Sequence, residues 1–97
     1  MPFAEEMIPP LRALARKLVD LEMYSHLSSV ADLLAAFKSG NWPKLSLEDQ
    51  EFYLEKMEST FHVRGIGDTP AGDEPEYRFI LTRVDQEARA LRKKKNA

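Results

Sequence analysis

Apolar residues recur at helical spacing near the start of the chain. They follow one another at intervals of three and four residues, which places them on one face of a helix. Proline is tolerated in the first turn of a helix and disrupts later turns, so Pro9 and Pro10 mark a start. The pattern predicts a first helix from Pro9 to about Tyr24, with residues 1–8 adding a short turn. The apolar stripe consists of Leu11, Leu14, Leu18 and Leu21.

Two further helices are predicted from serine caps and apolar faces. Ser28 or Ser29 caps the second helix, which ends at Gly40. Ser46 caps the third helix, which runs to about Thr60 and has acidic residues in its first turn. The predicted inward positions are Val30, Leu33, Leu34 and Phe37 in the second helix, and Tyr53, Leu54, Met57 and Phe61 in the third.

The next two apolar segments alternate with polar residues, which is typical of β-strands. Residues 61–66 and 77–82 both show this period of two. The segment 67–76 between them is rich in glycine, proline and acidic residues, and we expect it to be a mobile loop. A last helix is predicted from about Val84 into the lysines at the end of the chain.

This order of elements predicts an α+β fold. Three helices would pack on a two-stranded β-hairpin, and a C-terminal helix would cover the open side or form a dimer. A chain of 97 residues has no room for a second core, so residues 1–97 form one domain. The ends at 1–8 and 93–97 are the segments expected to be flexible.

The segment 77–82, Tyr-Arg-Phe-Ile-Leu-Thr, is followed by a charged helix. This arrangement resembles the end of bacterial winged helix-turn-helix regulators of the MarR and PadR kind, where a wing strand ends in a Leu-Thr pair. The resemblance covers about residues 27–92 in element order. It implies that the third helix enters the major groove of DNA and that Arg64 and Arg78 lie on the wing.

The composition indicates a globular protein without cofactor chemistry. Apolar residues make up 43% and charged residues 31% of the chain, and cysteine is absent. Absence of cysteine excludes disulfides and thiolate metal sites and is consistent with a reducing compartment. We see no signal peptide and no apolar run of about 20 residues, and we expect a cytoplasmic location with no membrane contact.

The sequence shows no catalytic or metal-binding motif. His26 and His62 are the only histidines, and neither has a carboxylate at metal-ligand spacing. We therefore expect no enzymatic activity, no metal and no cofactor.

The charges are unevenly distributed along the chain. The third helix carries five carboxylates against Lys56 alone, whereas the segment from Arg78 onward carries seven cations against two carboxylates. An acidic helix would be repelled by the phosphates of DNA. Such a helix is also consistent with an ordinary solvated face, and a basic end is consistent with a frayed tail.

The leading interpretation is a small non-enzymatic protein-interaction module or inhibitor. It would dock a basic partner protein through the acidic third helix, with aromatic residues supplying affinity. If the partner binds nucleic acid, the helix would block its site as a decoy. The predicted partner-binding residues are Trp42, Glu48, Glu51, Phe52, Glu55 and Glu58.

The alternative interpretation is a homodimeric DNA-binding transcriptional regulator of the winged-helix type. It would contact DNA through the wing, the first helix and the basic tail. The predicted nucleic-acid-binding residues are Arg12, Arg16, Lys17, Lys44, Arg64, Arg78, Arg92, Lys93, Lys94 and Lys95.

Overall fold

Four α-helices form most of the protein in a computed structural model that describes residues 2–62 and 65–96. The helices are α1 (Phe3–Asp20), α2 (Tyr24–Lys38), α3 (Leu47–Thr60) and α4 (Pro75–Lys95). Three 3-10 turns lie at Trp42–Lys44, Ile66–Asp68 and Pro70–Asp73. Within the described ranges no residue is in a β-strand. The predicted α+β fold with its β-hairpin wing is therefore wrong, and the protein is all-α.

The second predicted strand, 77–82, lies inside α4. The apolar residues of this segment alternate with polar ones, but they also fit a helix. The buried positions of α4 recur every three or four residues. Pro75 begins the helix, at the position where the missing N–H costs no hydrogen bond. The C-terminal helix consequently starts at Pro75 and not at Val84. The buried residues of α4 are Tyr77, Ile80, Val84, Ala88 and Leu91.

The first predicted strand, 61–66, is also absent from the part of it that the structure describes. Phe61 lies in the turn that follows α3, and Ile66 begins a 3-10 turn. Both side chains are fully buried. The predicted wing residue Arg64 lies outside the described residues. The other wing residue, Arg78, is on α4.

Helix α1 begins at Phe3, before the two prolines that mark its predicted start. Phe3 and Met7 are buried, so the apolar stripe extends back beyond Pro9 and Pro10. Two interior prolines remove two backbone hydrogen bonds, a cost that the burial of these side chains offsets. Most of the segment 1–8 is therefore helical.

The capping predictions are partly confirmed. The backbone N–H of Asp49 donates a hydrogen bond to Ser46 Oγ at 3.1 Å, which confirms Ser46 as the cap of α3. Gly40 follows α2 with φ 73°, the left-handed conformation predicted for its end. Helix α2 begins at Tyr24, ahead of the predicted serine caps, because Glu22 at φ 57° turns the chain directly after α1.

Helix α4 packs against α1 and α3, and the ion pairs along the two interfaces show that it is antiparallel to both. At one end of the α1–α4 interface, Arg83 Nε donates to Glu6 Oε2 at 2.5 Å. At the other end, Lys17 Nζ lies 3.4 Å from Glu74 Oε1. Helix α2 packs against α1 and α3. Helices α1 and α3 therefore occupy diagonal corners of the bundle, and the core lies between the four helices.

The acidic segment between α3 and α4 folds into two consecutive 3-10 turns. Thr69 Oγ1 accepts a hydrogen bond from the N–H of Ala71 at 3.2 Å and donates to the carbonyl of Ile66 at 2.7 Å. Gly67 and Gly72 bring the two turns into close backbone contact. These contacts hold the start of α4 close to the end of α3.

A methyl group at Gly72 would lie 2.5 Å from the carbonyl oxygen of Gly67 and 2.9 Å from its Cα. Because both are backbone atoms, Gly72→Ala must push the two turns apart. We expect the free energy of unfolding to fall by about 1 to 3 kcal/mol, measured by urea denaturation. Asp73→Ala, at an exposed position in the same turn, is the control and should change stability by less than about 0.5 kcal/mol. Equal stability of the two variants would contradict the close contact.

The buried hydroxyl of Tyr77 donates a hydrogen bond to the carbonyl of Phe61 at 2.8 Å. Burial, together with the charge of Asp68, raises the pKa of Tyr77 above the ordinary value of 10.0. A raised pKa in the folded state means that this contribution to stability is complete below about pH 10. It is lost as pH rises from there through the folded pKa.

Tyr77→Phe should lower the free energy of unfolding at neutral pH by about 1 to 2 kcal/mol, because the carbonyl of Phe61 loses its donor. The variant should also lose less stability than the wild type as pH rises above about 10. Urea denaturation at neutral and alkaline pH measures both effects. Tyr24→Phe, at a residue 61% exposed, is the control. The same alkaline loss in Tyr77→Phe as in wild type would exclude Tyr77 as its source.

Candidate functional site: the outward face of α3

Four carboxylates of α3, those of Glu48, Glu51, Glu55 and Glu58, lie on one side of the helix. At about 100° per residue they fall within an arc of about 80°. Glu51 and Glu58, at the edge of this arc, lie beside α4 and have cation partners there. Glu48 and Glu55 are exposed. The acidic surface predicted from the sequence is therefore one surface, and part of it is paired with α4.

Glu51 and Glu58 are paired with the basic end of α4. Lys95 Nζ donates to a carboxylate oxygen of Glu51, and Arg92 Nη2 lies 3.8 Å from Glu58 Oε1. The hydrogen bond that Lys95 donates to Glu51 raises the pKa of Lys95 above its ordinary value, and the charges of Glu51, Glu48 and Glu55 act in the same direction. These side chains are one third to two thirds exposed, so each pair contributes little to stability.

Phe52 stands between the two outward carboxylates. It is 61% exposed, and Glu48 and Glu55 lie one turn before and after it. The ring of Tyr53 meets the Phe52 ring edge to face, with centroids 5.4 Å apart. Within the described residues neither Glu48 nor Glu55 forms an ion pair. We call Glu48, Phe52 and Glu55 the outer strip.

Trp42 is a core residue and not the exposed anchor that the sequence predicts. It is only 6% exposed, and its ring packs against Phe3 at 5.3 Å and Phe37 at 5.4 Å between centroids. Its carbonyl accepts a hydrogen bond from Gln50 Nε2 at 2.9 Å. Trp42 itself begins the 3-10 turn Trp42–Lys44, in which Pro43 is the second residue. The Trp42 ring is also paired with that of Tyr53 on α3, with centroids 6.5 Å apart.

The cations predicted to bind nucleic acid do not form one surface. On α1, Arg12 and Arg16 are exposed and Lys17 pairs with Glu74. That pair places the second half of α1 beside the first turn of α4, at the opposite end from the basic tail. About 24 Å of helix separates Arg78 from Lys94. Exposed cations in the described ranges include Lys44, Arg78, Arg92, Lys93, Lys94 and Lys95.

The pairing between α3 and the end of α4 was not predicted from the sequence. The signal was present in the opposite charges of the two segments, but only their antiparallel packing brings them together. The exposure of Phe79 was also not predicted, because this residue was assigned to a strand. It is 46% exposed and lies in a shallow cleft beside Pro9 and Pro10 of α1.

The described residues contain no group of three or more His, Asp and Glu side chains arranged to hold a metal ion. Nor is any helix in these ranges long and apolar enough to cross a lipid bilayer. The structure does bring together two helices with complementary charges, α3 and α4. It also leaves the aromatic side chain of Phe52 in solvent.

Comparison with known proteins gives no assignment, since the chain matches no protein-family model and no curated protein or solved structure is significantly similar to it. The geometry of α3 and α4 is therefore the basis for a functional proposal.

Trp42 and Phe52 should respond in opposite ways to truncation. Trp42→Ala leaves a cavity in the aromatic cluster and should lower the free energy of unfolding by about 3 to 5 kcal/mol. Phe52→Ala removes a ring that is mostly in solvent and should cost less than about 1 kcal/mol. Urea denaturation followed by circular dichroism measures both. Comparable losses from the two substitutions would show that Phe52 is part of the core.

Proposed function

We propose that this protein is a small non-enzymatic interaction module that binds a basic partner protein through the outer strip of α3. The observation that carries the proposal is an exposed phenylalanine between two carboxylates that have no ion pair in the described part of the chain. Phe52 would supply the apolar contact, and Glu48 and Glu55 would supply attraction and orientation.

The aromatic residue supports a protein partner in particular. Truncation of a few buried aromatic or arginine side chains accounts for most of the binding energy in protein interfaces. The Phe52 ring contacts the ring of Tyr53, whose centroid lies 6.5 Å from that of Trp42 in the core. A preorganised ring loses little conformational freedom on binding, which favours affinity.

The charges favour a basic partner. Glu51 and Glu58 are paired with Lys95 and Arg92, so the carboxylates of α3 without an ion pair in the described residues are Glu48, Asp49 and Glu55. Carboxylates at the edge of an interface act chiefly on the association rate and on partner choice. A partner with lysine or arginine on both sides of an apolar residue would complement this surface.

The winged-helix alternative lacks its main structural support, because the described residues contain no strand that could serve as a wing. The helix that would enter the major groove carries carboxylates outward, where phosphate would repel them. The exposed cations are spread over α1, the loop before α3 and both ends of α4. We therefore do not propose DNA binding for this chain.

The test uses a fluorescein-labelled amphipathic peptide of about 15 residues, with leucines on one face and lysines on the other. Wild-type protein should bind it, by fluorescence anisotropy, more tightly than the same peptide with glutamates replacing the lysines. Phe52→Ala should weaken binding by about thirtyfold, since a hot-spot residue contributes about 2 kcal/mol. Glu48→Lys combined with Glu55→Lys should weaken it by tenfold or more.

The matched control is Glu5→Lys combined with Asp20→Lys, which changes the net charge equally on the exposed side of α1. It should weaken binding only slightly and lose this effect in salt. Equal losses in the two charge-reversal variants, or no preference for the lysine peptide, would refute docking at the outer strip. Binding of a random DNA duplex that falls steeply with salt would favour the nucleic-acid alternative.

A further inference from the structure

A groove of about 180 Å³ runs between α3 and the end of α4. Its floor is apolar and consists of Leu54 from α3 with Ala88 and Leu91 from α4. A cavity of about 150 Å³ with apolar walls is large enough to bind benzene. The groove can therefore hold one apolar side chain of moderate size.

The walls of the groove carry opposite charges. Glu51, Glu55 and Glu58 line the α3 side, and Arg92 and Lys95 line the α4 side. The pairs Lys95–Glu51 and Arg92–Glu58 connect these walls and so cross the groove. Glu55 belongs to the outer strip as well, which makes the two surfaces continuous.

The ion pairs across the groove are easily exchanged. Each involves long side chains in contact with water, and exposed pairs of this kind are weak and screened by salt. A lysine or arginine from another molecule can replace Lys95 or Arg92 on the same carboxylate. The exchange keeps Glu51 and Glu58 paired, and the cations of α4 return to solvent.

We infer that the groove is the second half of the docking surface, where a basic helical segment of the partner inserts an apolar side chain between α3 and α4. Arg92 and Lys95 act as internal competitors that the partner's cations must displace. This inference rests on the proposed function. It adds the place where the partner's apolar side chain binds and a competition within the chain that lowers the affinity for the partner.

Charge complementarity identifies the occupant. The α3 wall has three carboxylates for the two cations of α4, and Glu48 adds a fourth beyond the rim. The basic end of α4 shows which geometry fits beside α3. It is the end of a helix that lies antiparallel to α3 and carries basic residues. Amphipathic helices commonly bind in apolar grooves between two helices.

The first experiment fills the groove. Ala88→Leu places a larger side chain on the floor, whereas Ala90→Leu makes the same change at an exposed position of α4 outside the groove. The fluorescein-labelled lysine peptide should bind Ala88→Leu at least tenfold more weakly than wild type and bind Ala90→Leu normally. Circular dichroism and urea denaturation confirm that both variants are folded.

The second experiment removes the competitors without altering the core. Arg92→Gln with Lys95→Gln should tighten peptide binding about two- to thirtyfold, the range corresponding to two exposed ion pairs. Lys93→Gln with Lys94→Gln changes the net charge equally in the same turn, at exposed positions outside the groove, and should tighten binding less. Low salt should enlarge the difference between the two variants.

The outcomes separate this inference from the proposed function. If the peptide does not bind wild type, the proposed function fails. If Phe52→Ala weakens binding but Ala88→Leu does not, the docking strip stands and the groove is not its continuation. If the two glutamine variants tighten binding equally, the effect comes from net charge, and Arg92 and Lys95 are not specific competitors. A wild-type dimer that Ala88→Leu dissociates would identify a second copy of the chain as the occupant instead.

Discussion

The structure depends on the burial of one apolar stripe, the inward side of α4, between α1 and α3. Ile80, Val84 and Leu91 are 5% exposed or less, and they contact a core that the first three helices cannot close by themselves. The antiparallel direction of this packing sets the charge pairs on both sides. Arg83 meets Glu6 on α1, and Lys95 meets Glu51 on α3.

This packing determines which of the charged segments can act as binding surfaces. An acidic helix and a basic tail look like two separate binding surfaces in the sequence, but in the fold they lie side by side and partly neutralise each other. The charged surface that remains available to a partner is smaller than the sequence alone indicates. Phe52 and its two flanking carboxylates face solvent, next to a groove that the basic end of α4 bridges.

The mistaken β-hairpin arose where one short pattern fits two structures. Residues 77–82 alternate like a strand over six positions, while their helical spacing becomes visible only when Val84, Ala88 and Leu91 are included. Pro75 was a usable start signal for that longer helix. By contrast, the Ser46 cap and the stop at Gly40 were predicted correctly, because both depend on local backbone chemistry.

The sequence by itself determined the apolar faces of the first three helices, the cap at Ser46, the end of α2 at Gly40 and which residue types could bind a partner. It placed carboxylates on α3 and cations at the end of α4, since helical periodicity is a local property. Only the tertiary structure decided that Trp42 is buried and that Glu51 and Glu58 are paired within the chain. These outcomes depend on contacts between residues distant in sequence, and such contacts are fixed by how whole helices pack and not by any local pattern.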